Sequence, residues 1–149
     1  VKKAPAGTVS VVAALPGRMT EYQPGVCNIG AGEQRKRYAF GVAGFAVAAA
    51  VAVAVYAFSF PAVWMLAAVV PLFAGFEGVL QGAQRFCAGF ATAGIYDVSD
   101  SANDRHEVVD DAARRADRRK AVRIHVQSLV GAAVTGAALY LLAVAVPPA

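Results

Sequence analysis

Between Tyr38 and Phe76 the chain carries no charged residue, and from Val126 to Ala149 it carries none again. A spanning helix needs roughly 20 apolar residues, so the first run is long enough for two spans and the second for one. With 58% hydrophobic and 16% charged residues, the chain has more apolar side chains than a soluble domain of this length normally buries. Lipid has to take the excess. The expected fold is an all-α membrane protein with three transmembrane helices at about 38–58, 62–83 and 126–146.

The long run divides at Ser59, Phe60 and Pro61. Ser59 suits the cap of a second helix and Pro61 its first turn, where a missing amide donor costs nothing. Ala and Val alternate from Val51 to Val55, a pattern that in water reads as a strand. In lipid an open strand leaves its backbone polar groups unpaired, so helix is the only reading that survives. Pro71 is expected to bend the second helix, because it removes one backbone hydrogen bond and crowds the preceding turn.

Every basic residue falls on one side of these spans. Lys2, Lys3, Arg18, Arg35, Lys36 and Arg37 precede the first, and Arg85, Arg105, Arg114, Arg115, Arg118, Arg119, Lys120 and Arg123 lie between the second and third. Basic residues near span ends are retained in the cytoplasm, which predicts a multi-pass protein of the inner (cell) membrane with its N-terminus inside and its C-terminus outside. Tyr56, Phe58, Phe60 and Trp64 at the hairpin tip, with Tyr38 and Phe40 at its base, fit aromatic belts at the two interfaces. Residues 1–26 contain only the short apolar stretch Val9 to Leu15 between charges, prolines and glycines. They read as a loosely ordered cytoplasmic arm with at most one short strand or turn, not as a cleavable signal. The expected organisation is this arm, a two-helix hairpin over 27–96, a charged helix over 97–125, and the third span with a short outer tail over 126–149.

The segment before the third span runs from acids (Asp97, Asp100, Asp104, Glu107, Asp110, Asp111) to bases (Arg114, Arg115, Arg118, Arg119, Lys120, Arg123). That order suits one cytoplasmic helix at about 101–125 with acids at its positive end and bases at its negative end. Asp110 with Arg114 and Asp111 with Arg115 are spaced to pair along it. Such a helix is either a solvated lead-in to the third span or a docking surface for anionic lipid heads or an acidic partner. Nucleic acid is not an expected partner, since acids nearly balance bases and no aromatic residues are interleaved.

Lipid supplies no hydrophobic drive between helices, so close approach through small residues must hold the spans together. Gly44, Ala48 and Ala52 form one candidate seam, Ala74, Gly78 and Gly82 a second, and Ser128, Ala132 and Gly136 a third. The chemistry-bearing residues are few. Cys27 precedes the first span and Cys87 follows the second, so the hairpin would bring both to the cytoplasmic boundary, where a nearby Arg85 could lower a thiol pKa and a reducing compartment disfavours a disulfide. His106 and His125 lie on the same side and could help complete a metal site, but the spacings match no compact zinc motif, and no cofactor is expected. Glu77 is an acid inside a span, with Arg85 or the Arg35–Arg37 cluster as its expected partner. Snorkelling and pairing would satisfy it without a transport role.

CNIG at Cys27 to Gly30, the acid Glu33, Arg37 and Gly41, followed by Pro71, Gly75, Gly78, Cys87, Gly94 and Ile95, form a pattern over residues 27–96. It resembles the small two-helix inner-membrane family that also occurs as the membrane anchor of some rhodanese-type sulfurtransferases. The resemblance implies a hairpin with cytoplasmic ends and no settled activity. Ala88 stands where many members have proline, and a charged helix and third span are added. No rhodanese domain or anion-binding arginine after Cys87 is present, so sulfurtransferase activity is not implied. The expectation is a noncatalytic accessory or structural subunit that packs against other membrane subunits or itself within the bilayer. The alternative is a thiol or metal site at Cys27 and Cys87 with a redox or sulfur-handling role.

Overall fold

A computed structural model of the chain describes residues 2–3 and 21–148. The arm expected over 1–26 therefore lies mostly outside the described residues. The protein is mostly helical: α1 spans Ala31–Ala57, a 3-10 segment spans Ala62–Ala68, α2 Val69–Ala83, α3 Ala88–Ala93 and α4 Asp111–Ala145. Three two-residue strands, β1 (Lys2–Lys3), β2 (Ile95–Tyr96) and β3 (His106–Glu107), form a sheet of order β1-β3-β2, with β1 parallel and β2 antiparallel to β3. Three helical stretches, Ala31–Ala57, Ala62–Ala83 and Asp111–Ala145, are long and apolar enough to cross a membrane.

The chain divides into two compact units. Among the described residues, one comprises 2–3, 21–36 and 81–123, the other 37–80 and 124–148. In the second unit the core is built of small residues. Gly41 and Gly44 on α1 meet Gly75, Gly78 and Val79 on α2 backbone to backbone; a methyl group on Gly44 would lie 2.5 Å from the Gly75 nitrogen, and one on Gly78 would fall on the Gly41 nitrogen. Ala48, Ala68, Leu72 and Ala132 form a buried cluster beside this contact, and Val55, Met65 and Ala143 form another. Phe45 and Phe76 meet edge to face at 5.1 Å between centroids.

The expected seams are thus partly corrected. Ser128, Ala132 and Gly136 are buried along α4 as read from the sequence, and Gly44 and Ala48 along α1. On α2 the line of closest contact runs through Pro71, Gly75 and Gly78, while Ala74 is only half-buried. Gly78 and Gly82 are buried as read from the sequence, so the correction is confined to Ala74, whose place in the close contact is taken by Pro71 and Gly75.

Two helix boundaries also differ from expectation. Ser59 does not cap the second span; it closes α1 in the left-handed region (φ 52). Phe60 N–H donates to the Val55 carbonyl (2.9 Å) and Ser59 N–H to that of Tyr56 (3.4 Å), the paired bonds of a Schellman turn. The second span then begins as a 3-10 turn after Pro61 and becomes α-helix only at Val69. Pro71 supplies the reason: it cannot donate to Ala67, and its ring crowds that carbonyl, so the preceding turn tightens to the i−3 pattern, as in Val69 N–H to Leu66 C=O. The tip between the helices exposes Phe58, Phe60 and Trp64.

The charged helix starts ten residues later than the acid-to-base order suggests, at Asp111 rather than near Ser101. Asp110 is the cause. Its carboxylate accepts from Ala113 N–H (2.8 Å) and its carbonyl from Arg114 N–H (3.0 Å), which is the bonding of a helix N-cap. Arg114 accordingly pairs with Glu107 (2.9 Å), not with Asp110. Residues before the cap form the sheet and its loops, and α4 then runs unbroken to Ala145.

Candidate functional site

The densest polar construction in the first unit is the place where CNIG meets the end of α2. Arg85 takes the left-handed conformation (φ 49), with Phe86 N–H bonded to the Gln81 carbonyl (2.9 Å) and Arg85 N–H to that of Gly82 (3.2 Å). This is a second Schellman turn, made by a residue whose Cβ makes it cost about 1 kcal/mol or more. The turn points the Arg85 carbonyl at the Asn28 and Ile29 amides, and it accepts from both (3.2 and 3.3 Å).

Asn28 is fully buried, and its side-chain amide engages both the N–H and the carbonyl of Cys87. Its Oδ1 accepts from Cys87 N–H at 2.6 Å, and its Nδ2 donates to the Cys87 carbonyl at 3.0 Å. The Asn28 carbonyl accepts from Asp97 N–H (3.0 Å), and Gly30 N–H donates to the Asp97 carbonyl (2.8 Å). Gly30 permits this approach because a Cβ there would collide with the backbone of Val98 and Ser99. Cys87 in turn caps α3, its Sγ accepting from Phe90 N–H at 3.3 Å. Ile29, Cys87 and Phe90 form a buried apolar cluster in this unit.

Two further buried acids organise the surrounding loops. Asp97, with no exposed surface, accepts from the amide and hydroxyl of Ser99 and from Asp104 N–H. It thus folds 97–104 around its carboxylate, as an Asx turn does. Asp117 on α4, 1% exposed, accepts from the Tyr22 hydroxyl (2.8 Å) and Gly25 N–H (2.7 Å). Tyr22 stacks on Tyr96 at 4.3 Å, and Tyr96 on His106 at 5.3 Å.

Burial, then the hydrogen bond and charge of Asp117, hold the Tyr22 hydroxyl well above the ordinary tyrosine range; burial, then the Asp104 charge, raises that of Tyr96. An unfolded tyrosine ionises near pH ~10. The stabilisation linked to these raised values is therefore complete below about pH 10 and is lost as the pH climbs from there toward the folded values. In an alkaline titration followed by tyrosinate absorbance, Tyr22 and Tyr96 are expected to ionise only as this unit unfolds, and Tyr22→Phe to flatten the alkaline loss of stability. Ionisation of Tyr22 near pH ~10 with the fold intact would contradict this.

The sequence-named residues are distributed as follows. Cys27 and Cys87 are both buried and unpaired by disulfide, and both belong to the junction. Their sulfurs have different partners: Cys27 Sγ donates to the Glu21 carbonyl at 3.4 Å, and Cys87 Sγ is the α3 cap. Burial pushes the Cys27 thiol pKa up, and the Gln23 backbone hydrogen bond and the Arg85 charge, which act to lower it, do not overcome that. Glu77 pairs with His125, Oε1 to Nδ1 at 2.8 Å, both in the second unit. His125, expected as a metal helper, is thus the partner of the acid on α2. His106, in the other unit, contacts Asp104 at 3.1 Å. Among the described residues no group of three or more His, Cys, Asp or Glu side chains is placed to hold a metal ion.

Sequence reasoning named Asn28 only within a resemblance, treated Asp97 as a member of a charge run and passed over Asp117. The available signal was an acid surrounded by turn residues (DVSDS, at 97–101) and an acid inside a basic stretch (Asp117). Chemically, the junction is a set of backbone clamps around two inaccessible thiols. No family model, curated protein or solved structure matches the chain.

Proposed function

We propose that the chain is a noncatalytic, multi-pass inner-membrane protein with its N-terminus inside, acting as an accessory subunit by lateral helix packing. The observation that carries this reading is an unused stripe on α1. Gly41, Gly44 and Ala48 face inward, whereas Ala39, Ala43, Ala46 and Ala50 recur at steps of four, three and four on the opposite side and are all exposed. Small residues at this spacing let a second helix approach closely in lipid. The internal seams are occupied by this chain's own helices, so a partner would meet the Ala39–Ala50 stripe. Large exposed side chains such as Val42, Val47, Val70, Leu129 and Val134 suit contact with acyl chains. The buried thiols lend no support to the redox alternative, because reactivity needs an accessible thiolate.

Gentle detergent extraction followed by sizing and mass spectrometry tests the proposal. The chain is expected in a defined oligomer or complex, and Ala43→Leu with Ala46→Leu is expected to release it. A stable monomer from the native membrane, or an assembly indifferent to those substitutions, would count against it.

A further inference from the structure

The outward face of α4 before its uncharged run is strongly basic. Arg115, Arg118, Arg119 and Arg123 are exposed, and none has an ion-pair partner there. From Ala112 to His125 the only acid is Asp117, and it is turned inward, taken up by Tyr22 and Gly25. The buried line of the same helix, Ala113, Asp117, Ala121 and Ile124, lies opposite. Formal charge therefore understates how basic this face is. The exposed acids Asp100, Asp104, Asp110 and Asp111 all precede it.

We propose that this face docks the headgroups of anionic phospholipids. The inference rests on the membrane reading given above and adds the ligand. Helix α4 continues without a break into the apolar run that starts at Val126. At ~1.5 Å rise per residue, Arg123 stands about 5 Å before Val126, Arg119 about 10 Å, Arg118 about 12 Å and Arg115 about 16 Å. The headgroup zone of one leaflet is about 5–8 Å thick, and the surface potential of an anionic leaflet decays over a Debye length of about 8 Å beyond it. Arg123 thus falls among the headgroups, and Arg118 and Arg119 fall within their field. The guanidinium fork matches phosphate oxygens bidentately. Val122 and Val126, exposed within the same arc, suit the apolar boundary beneath. With the bases on the cytoplasmic side, the facing leaflet is the anionic one.

The test uses the full chain reconstituted in bilayers of phosphatidylcholine with phosphatidylglycerol. Retention in the bilayer after alkaline carbonate is measured first. Lipids that stay bound after transfer to mild detergent are then counted by native mass spectrometry. Each arginine near the surface contributes about fivefold in affinity, so phosphatidylglycerol is expected to be retained over phosphatidylcholine by at least about tenfold. Arg119→Gln with Arg123→Gln should abolish most of that preference. Arg119→Lys with Arg123→Lys should keep most of it, Arg105→Gln should leave it intact, and high salt should weaken it. A chain held in the bilayer that retains the two lipids equally, or whose preference ignores the double glutamine variant, overturns the docking proposal alone. Loss of the chain at the carbonate step overturns the membrane reading and the docking proposal together.

Discussion

Asn28→Ala is expected to destabilise the first unit by about 3 kcal/mol while leaving the helical contacts of the second intact. Both polar ends of the Asn28 amide are engaged with one buried residue, through the N–H and the carbonyl of Cys87. Removing them strands a donor and an acceptor, each worth about 1–3 kcal/mol when left unpaired out of water. Water entering the cavity offsets part of that sum. The loss should be local, since Cys87 also caps α3 through its sulfur and positions Phe90 in the apolar cluster. Amide hydrogen exchange reads it directly: protection at Cys87, Ala88, Phe90 and Asp97 should fall by about a hundredfold, the equivalent of ~3 kcal/mol. Protection over Gly41–Val55 should not change.

A second substitution separates hydrogen bonding from simple packing. Asn28→Asp keeps the volume and the acceptor for Cys87 N–H but sets a carboxylate oxygen against the Cys87 carbonyl. Two acceptors repel unless the new acid is protonated. Its folded pKa must rise, so the variant recovers stability as pH falls toward and below the ordinary aspartate value of ~3.9, and loses it as pH rises through the folded value. Asn28→Ala has no proton to gain and should show no such recovery. Equal pH profiles for the two variants would mean that Asn28 acts by filling space.

The three long apolar helices were legible because they rest on local composition. A charge-free run can be read without knowing what it touches, and the helices at Ala31–Ala57, Ala62–Ala83 and Asp111–Ala145 cover all but the last residue of the expected 38–58 and 126–146 and the whole of 62–83. The junction was not legible for the opposite reason: its central bonds join Asn28 to Cys87 across 59 positions, and nothing local to either residue announces the other. The turns that build it are equally silent. Ser59 and Arg85 occupy left-handed conformations usually reserved for glycine or asparagine, so the residue type at each position argued for something else. At Asp110 the error was one of averaging: it was counted as a charge in a run, yet it is a helix cap. Asp117, a buried acceptor inside the basic stretch, was passed over. A dipole argument based on the sum of charges cannot distinguish those roles from solvated ones.

Gly78→Val should disrupt the second unit more than any exchange of one side chain for another within it. A Cβ at Gly78 would fall on the Gly41 nitrogen, with the Gly41 Cα at 2.6 Å and the Arg37 carbonyl oxygen at 2.7 Å. These are backbone atoms of α1 and cannot rotate away, so α1 and α2 must move apart along the length of the Gly41, Gly44, Gly75 and Gly78 contact. The cost should reach or exceed the ~3 kcal/mol at the upper end of side-chain overpacking. On the membrane reading proposed above it falls directly on helix association, because close packing is the main force between helices in lipid. Gly78→Ala should already show a large part of the effect, since the methyl carbon itself makes the collision. Gly136→Ala should be milder, because its neighbour is the Val69 side chain, which can shift. Detergent-to-dodecyl-sulfate titration of the reconstituted chain, followed by the fluorescence of Trp64, measures the midpoint for each variant. The expected order of destabilisation is Gly78→Val, then Gly78→Ala, then Gly136→Ala. An unchanged midpoint for Gly78→Val would mean that α1 and α2 do not meet through these glycines.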